Sequence, residues 1–197
     1  MPIPSHNFRA ELFLSELGLQ LLLFRRSVSR LNKAAAHWKA LESGIDDGQV
    51  ARPIDIVADC TVCLASLAAV RRVLRPSPNA PETAKKRATA LYDLLGNPPL
   101  TNAASVSVRN SWEHLDERLD DWLGSRTPGS GSVTEIHVSC KPPSPNTTIL
   151  RRFDPVQFAI HFGGAVVPLK DCVLEIDDLQ KRIDQAYVKL QTERVNV

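Results

Sequence analysis

The chain has 197 residues, a formal net charge of +2 and a sequence pI near 8.4. That length suits one domain with a sizeable core, or one domain plus an appendage. The mild charge excludes a chain that is basic throughout and leaves only local basic patches for nucleic acid.

From Ser5 to Glu42 one long amphipathic stretch places Phe13, Leu17, Phe24, Val28, Leu31 and Trp38 at helical spacings. Ser43-Gly44 stops it, and Asp46-Asp47-Gly48 makes a loop. Pro53, suited to a first helical turn, opens a second helix running to Leu74, where Arg75-Pro76-Ser77-Pro78 ends it. A third helix spans Pro81 to Leu95 and stops at Gly96-Asn97-Pro98-Pro99. A fourth helical segment, capped by Thr101 or Asn102, carries Val108, Trp112, Leu115, Leu119 and Trp122 at alternating spacings of four and three, a coiled-coil-like seam. Four such helices with short connections predict an antiparallel bundle.

The composition changes at Ser125, and Thr127-Pro128-Gly129-Ser130-Gly131-Ser132 reads as a linker. Strands are expected over Val133–Ser139 and Thr147–Phe153, with a Pro-rich break at 141–145 between them and a turn at Asp154-Pro155. Val156–Phe162 alternates, putting Val156, Phe158, Ile160 and Phe162 on one face. Gly163-Gly164 signals a hairpin returning through Ala165-Val166-Val167. A last helix from Lys170 shows Val173, Ile176, Leu179, Ile183 and Tyr187 on one stripe. The expected organisation is a helical part, 1–124, and a second part, 125–197, holding a small antiparallel sheet before the C-terminal helix, the two packed as one unit.

No stretch is read as reaching the ~20 apolar residues of a membrane span. The most apolar run, Leu12 to Phe24, is broken by Ser15, Glu16 and Gln20, and Glu11 and Glu16 sit where a secretory leader would be basic or apolar. A cytoplasmic protein with no membrane partner is expected. Cys60 and Cys63 form a C-x-x-C on a helix without a second pair, and read with Cys140 and Cys172 as small hydrophobes rather than as a metal or redox site. His37 reads as structural, and His137 and His161 as polar-face strand residues. Phe153, Phe158 and Phe162 read as packing for the sheet rather than as a platform for bases.

The richest cluster is Arg109-Asn110-Ser111-Trp112-Glu113-His114. Arg binds phosphate through a permanently charged planar fork, and His moves protons near neutrality. At 100° per residue, side chains five positions apart point about 140° from one another on a straight helix. Joint action therefore calls for a distorted turn or a second copy of the helix across a two-fold axis. RNA supplies its own nucleophile, the 2′-hydroxyl. His114 would transfer protons and Arg109 would hold the phosphate, with no metal and no cofactor.

This spacing, an Arg, a polar residue and a His on a late helix of a helical bundle, resembles the R-x(4–6)-H motif of the HEPN superfamily. The resemblance covers Ser5 to Leu123. It implies a four- to five-helix bundle, a homodimer, and metal-independent endoribonuclease activity of the toxin–antitoxin, phage-defence or RNA-processing kind, with an antitoxin or defence-system protein as a partner. It makes Arg109 and His114 catalytic and Asn110 the polar residue after the arginine. One HEPN subgroup carries a regulatory Tyr two positions after the His; here that position is Asp116. Among the basic clusters, Arg25-Arg26 and Lys85-Lys86 are the expected RNA contacts. The alternative is a non-catalytic dimeric scaffold or protein-interaction module.

Overall fold

A computed structural model describes residues 6–103, 120, 132–141, 147–162 and 165–195. Its elements are α1 His6–Glu42, α2 Pro53–Leu74, α3 Glu82–Leu94, β1 Ser132–Val138, β2 Thr147–Asp154, β3 Ala159–Phe162, β4 Ala165–Pro168 and α4 Leu169–Val195. The described protein is mainly helical, with a small mixed sheet ahead of the C-terminal helix. The segment 104–119, with the expected fourth helix and its motif, lies outside the described residues.

Local chemistry fixes the helix ends. Past α1, Ile45 N–H donates to Ala40 O at 2.9 Å and Gly44 N–H to Leu41 O at 3.0 Å, with Gly44 at φ 76°. Past α3, Asn97 N–H reaches Tyr92 O at 2.8 Å and Gly96 N–H reaches Asp93 O at 3.0 Å, with Gly96 at φ 66°. Both are Schellman closures, which satisfy the last carbonyls and need a left-handed residue that Gly adopts without strain. Pro53 opens α2, and Arg71 and Arg72 in its last turn suit the helix dipole.

α2 corrects one expectation. By length and composition it is long and apolar enough to cross a membrane. Within the protein its Ile56, Cys60, Cys63, Leu64, Leu67, Val70 and Leu74 are all buried. Its apolar residues surround the helix more evenly than a one-sided stripe does.

The chain forms two compact units, and α1 and α2 contribute to each. The first comprises Met1–Arg25, Ser66–Ala104 and Asp171–Val197. Its core holds Leu14, Leu17, Leu21 and Phe24 of α1, Leu91 of α3, and Ile176, Leu179 and Ile183 of α4. Polar links run along its edges. Arg25 donates to Asp177, Arg87 lies 4.6 Å from the Phe13 ring centroid, and Arg182 donates to Leu95 O at 3.1 Å and Gly96 O at 2.8 Å. Glu175 accepts the backbone N–H groups of Asn102 and Ala103 and the Asn102 side-chain amide. That carboxylate holds the chain where it enters 104–119.

The second unit comprises Arg26–Ala65 and Ser105–Lys170. Arg30 pairs with Asp59 between α1 and α2, and Glu42 Oε1 accepts from Cys140 N–H at 2.7 Å and Ser139 Oγ at 3.1 Å. The sheet has the order β1-β2-β3-β4. β2, β3 and β4 are antiparallel, but β1 runs parallel to β2, with Ser132 opposite Thr147 and Val138 opposite Phe153. The sheet is therefore mixed and not the antiparallel one expected. A strand of this length spans about 20 Å, and the eight residues from Ser139 to Asn146 reach up to about 28 Å. They suffice to return the chain to the starting side. The prolines there mark the end of a strand and carry no information about the direction of the next.

β3 starts at Ala159, not Val156. Asp154 Oδ1 accepts the N–H groups of Val156 and Gln157 at 2.8 and 2.9 Å, and Phe158 sits at φ 51°. This Asx-type turn takes the amides that a ladder would need. Val156 is left exposed, while Phe158 is buried edge-on against Phe153 with ring centroids 5.8 Å apart.

Gly96→Ala is expected to destabilise the protein by about 1–2 kcal/mol, because a Cβ is strained at left-handed φ. The new Cβ would also meet Arg182 Nη1 at 3.1 Å. Urea unfolding measures the loss; a neutral result would contradict the described end of α3.

Candidate functional site

Of the residues expected to carry function, Arg109, Asn110 and His114 lie outside the described residues. Arg25 holds Asp177 Oδ1 through Nη2 at 2.7 Å and Nε at 3.1 Å, so its fork is occupied by a carboxylate of the same unit. Arg26, Lys85 and Lys86 are exposed. Lys85 borders an open groove of about 370 Å³ in the first unit, with Arg75, Thr89, Tyr92, Asp93 and Asn97 among its walls. Arg75 is tied down there. It donates to Leu100 O at 3.1 Å and to Tyr92 Oη at 2.5 Å, and its guanidinium carbon lies 5.4 Å from the Tyr92 ring centroid. Tyr92 passes its own hydroxyl proton to Pro98 O at 2.6 Å. Lys85 is an exposed cation on the groove wall, offset by Asp93 on the same wall.

The second unit holds an arrangement that the sequence reading missed. Strand register places His137 opposite Arg152, and Arg152 opposite His161. Directly opposed residues project from the same face of a sheet. Two imidazoles therefore flank one guanidinium across three adjacent strands, and the row ends on β4 at Val166, which is 44% exposed. The opposite face carries the buried row Val138, Phe153, Ile160 and Val167.

Arg152 Nη2 donates to Asp154 Oδ2 at 2.6 Å, in a pair whose side chains are only 17% and 4% exposed. Asp154 is fully used, with Oδ1 closing the turn. Three buried nitrogens of the row have no hydrogen-bond partner: His137 Nε2, Arg152 Nε and His161 Nε2. A buried polar atom without a partner costs about 1–3 kcal/mol. Three such atoms share this one row.

The electrostatics are consistent across the row. Burial first, and the Arg152 charge second, push the pKa of both imidazoles below the ordinary histidine value. For His137, a hydrogen bond with the Lys141 backbone and the charge of Glu42 pull the other way; for His161, Asp154 does. Both rings are therefore neutral at neutral pH, each with a donor or acceptor role set by its tautomer. Chemically, the row offers a fixed cation between two proton carriers.

Elsewhere, His37 Nδ1 lies 2.6 Å from Asp47 Oδ1, which also accepts the Gln49 N–H at 3.0 Å. The Gln49 hydrogen bond, followed by the one to His37, lowers the Asp47 pKa. This contact ties α1 to the loop after it. Cys60, Cys63 and Cys172 are buried and outside any disulfide. Burial pushes Cys60 far up and Cys172 to about 12, which leaves both unreactive at neutral pH. No group of three or more His, Cys, Asp or Glu able to hold a metal occurs among the described residues. Phe153, Phe158 and Phe162 are buried and offer no stacking surface.

No protein-family model matches the chain, and comparison with curated proteins and with solved structures gave no match either.

The depressed histidines set the sign of a pH effect. As pH falls below about 6.5 the unfolded chain's histidines take up protons first, so stability present above that value is lost on acidification. Thermal melts should show Tm falling from pH 7.5 to 5.5, and falling less in the His137→Gln, His161→Gln double variant. Equal slopes would contradict the described burial of the two rings.

Proposed function

We propose that this protein is a HEPN-like RNA-binding protein and a metal-independent endoribonuclease of toxin–antitoxin or phage-defence type, acting as a homodimer. The observation that carries this reading is Arg109-Asn110 followed by His114 in a mainly helical chain. His114 takes the 2′-hydroxyl proton, the 2′-oxygen attacks phosphorus, and the 5′-oxygen leaves with a proton from the paired imidazole. Arg109 holds the non-bridging oxygens as charge builds on them, and Asn110 hydrogen-bonds a phosphate or orients a catalytic group. Lys85 and Lys86, exposed on α3 beside the open groove, would meet the RNA backbone. Such contacts position a nucleic acid without reading its sequence.

A second reading, a non-catalytic dimeric scaffold, draws on Leu12, Leu19 and Leu22 of α1, which are 56%, 49% and 45% exposed. Their spacing puts them along one side of the helix, as an interaction face requires.

Incubation of the purified protein with an RNA oligomer in excess chelator tests the first reading. RNA should be cut to a cyclic phosphate end while DNA of the same sequence stays whole. Arg109→Ala or His114→Ala should slow cutting by about 10²–10⁴-fold. Intact RNA with the wild-type protein would remove the nuclease reading and leave the scaffold. Separately, Lys85→Glu with Lys86→Glu should weaken RNA binding about equally for all sequences and flatten its salt dependence. Unchanged binding would exclude α3 as the contact.

A further inference from the structure

We infer that the row His137–Arg152–His161 is a phosphoryl-binding site, holding one phosphate group on the sheet face of the second unit through nitrogens from three adjacent strands. The site is separate from the Arg109–His114 motif and does not depend on the function proposed for it.

The geometry selects an oxyanion. Neighbouring strands lie about 4.8 Å apart, so the two histidine backbones are separated by about 10 Å with Arg152 between them. At that spacing both rings and the guanidinium can reach one tetrahedral anion. The three orphaned nitrogens, His137 Nε2, Arg152 Nε and His161 Nε2, are the donors it would engage. A metal cation is the wrong occupant, because Arg152 keeps its positive charge at any working pH. Two carboxylates near the row are already committed. Asp154 accepts from Arg152, Val156 and Gln157. Glu42, on α1, accepts from Ser139 and Cys140. Neither supplies the missing acceptor. Exposed Val166 at the end of the row leaves this face open to solvent on the β4 side.

Occupancy would be linked to protons. Among the described side chains, the charged groups acting on the rings are Arg152 and Asp154 on β2 and Glu42 on α1; strand alternation also puts position 135 of β1, a glutamate, on the His137 face. With no anion bound, burial and Arg152 keep the rings neutral; a phosphate dianion reverses the balance and draws a proton onto at least one of them. For a phosphodiester, whose own charge is constant over this range, affinity therefore rises as pH falls, by up to about tenfold per pH unit for each proton taken up.

The test uses the full chain with three probes: inorganic phosphate, a nucleoside 5′-monophosphate and a dinucleoside monophosphate. Titration calorimetry at pH 6 and pH 8, in two buffers of different ionisation enthalpy, reads affinity and proton uptake. Histidine ring NMR reads which residues respond. The expected result is binding at pH 6, with proton uptake for the dinucleoside monophosphate and at least about tenfold weaker binding of that probe at pH 8, and shifts at His137 and His161 among the histidines. His137→Gln and His161→Gln, each checked for a native circular dichroism spectrum, should weaken binding and flatten its pH dependence. Tightest binding of inorganic phosphate would identify free phosphate as the source; tightest binding of the dinucleoside monophosphate would identify a polynucleotide backbone. No binding of any probe at pH 6, or binding that both Gln variants leave unchanged, overturns the proposal. Because the readout is binding and not cleavage, that failure would leave the ribonuclease reading untouched.

Discussion

Asp154 is a carboxylate buried to 3% exposure, and the sheet is organised around the hydrogen bonds that make its burial tolerable. A buried charge must be paired and fully hydrogen-bonded, or its desolvation outweighs what it contributes. One oxygen takes the Arg152 guanidinium, and the other takes two backbone amides of the following turn. The turn then sets where β3 can begin. Phe158 passes through left-handed φ onto Phe153, and Leu169 N–H closes on Phe158 O at 3.1 Å, which fixes the start of α4. The same ion pair holds Arg152 on its face of β2, so the guanidinium that separates the two histidines is placed by the group that terminates the strand.

The first unit relies on a comparable device at the polar edge of α4. Glu175 gathers three donors from Asn102 and Ala103, and Arg182 reaches the carbonyls of Leu95 and Gly96 just past α3. The Arg182 partners are carbonyls just past a helix end, which lack a helical partner; the Glu175 partners are N–H groups of residues 102 and 103. The long C-terminal helix thus anchors two loops while its apolar stripe fills the core. The Asn102 anchor lies seven positions before Arg109, so the chain enters the motif segment from a held point. The ribonuclease proposal draws on the motif and the phosphoryl-site proposal on the sheet; the two share a taste for phosphate but no residue.

Much of the fold was legible in the sequence because it is written locally. Gly44 and Gly96 announce their helix ends, since left-handed closure selects glycine. Ile176, Leu179 and Ile183 are the buried stripe of α4 that their spacing indicates. The errors fall where distant segments decide. The direction of β1 depends on which side of β2 the chain returns to, and alternation along β1 is the same for either. The shortened start of β3 depends on Asp154 claiming two amides, and the period of Val156–Phe162 conceals it. The candidate row was missed for a related reason. His137, Arg152 and His161 each sit at a polar alternate position, a usable signal, but nothing local states that they share a register.

The sequence by itself determined the four described helices, the glycine-closed ends of α1 and α3, and the number of strands. Each follows from backbone propensity and residue period within a few turns of chain. Only the tertiary structure decided the parallel pairing of β1 with β2, the division into two units, and the alignment of two imidazoles on either side of one arginine. Those depend on closing loops between segments far apart in sequence and on finding partners for buried polar groups, a condition that acts on the assembled sheet as a whole.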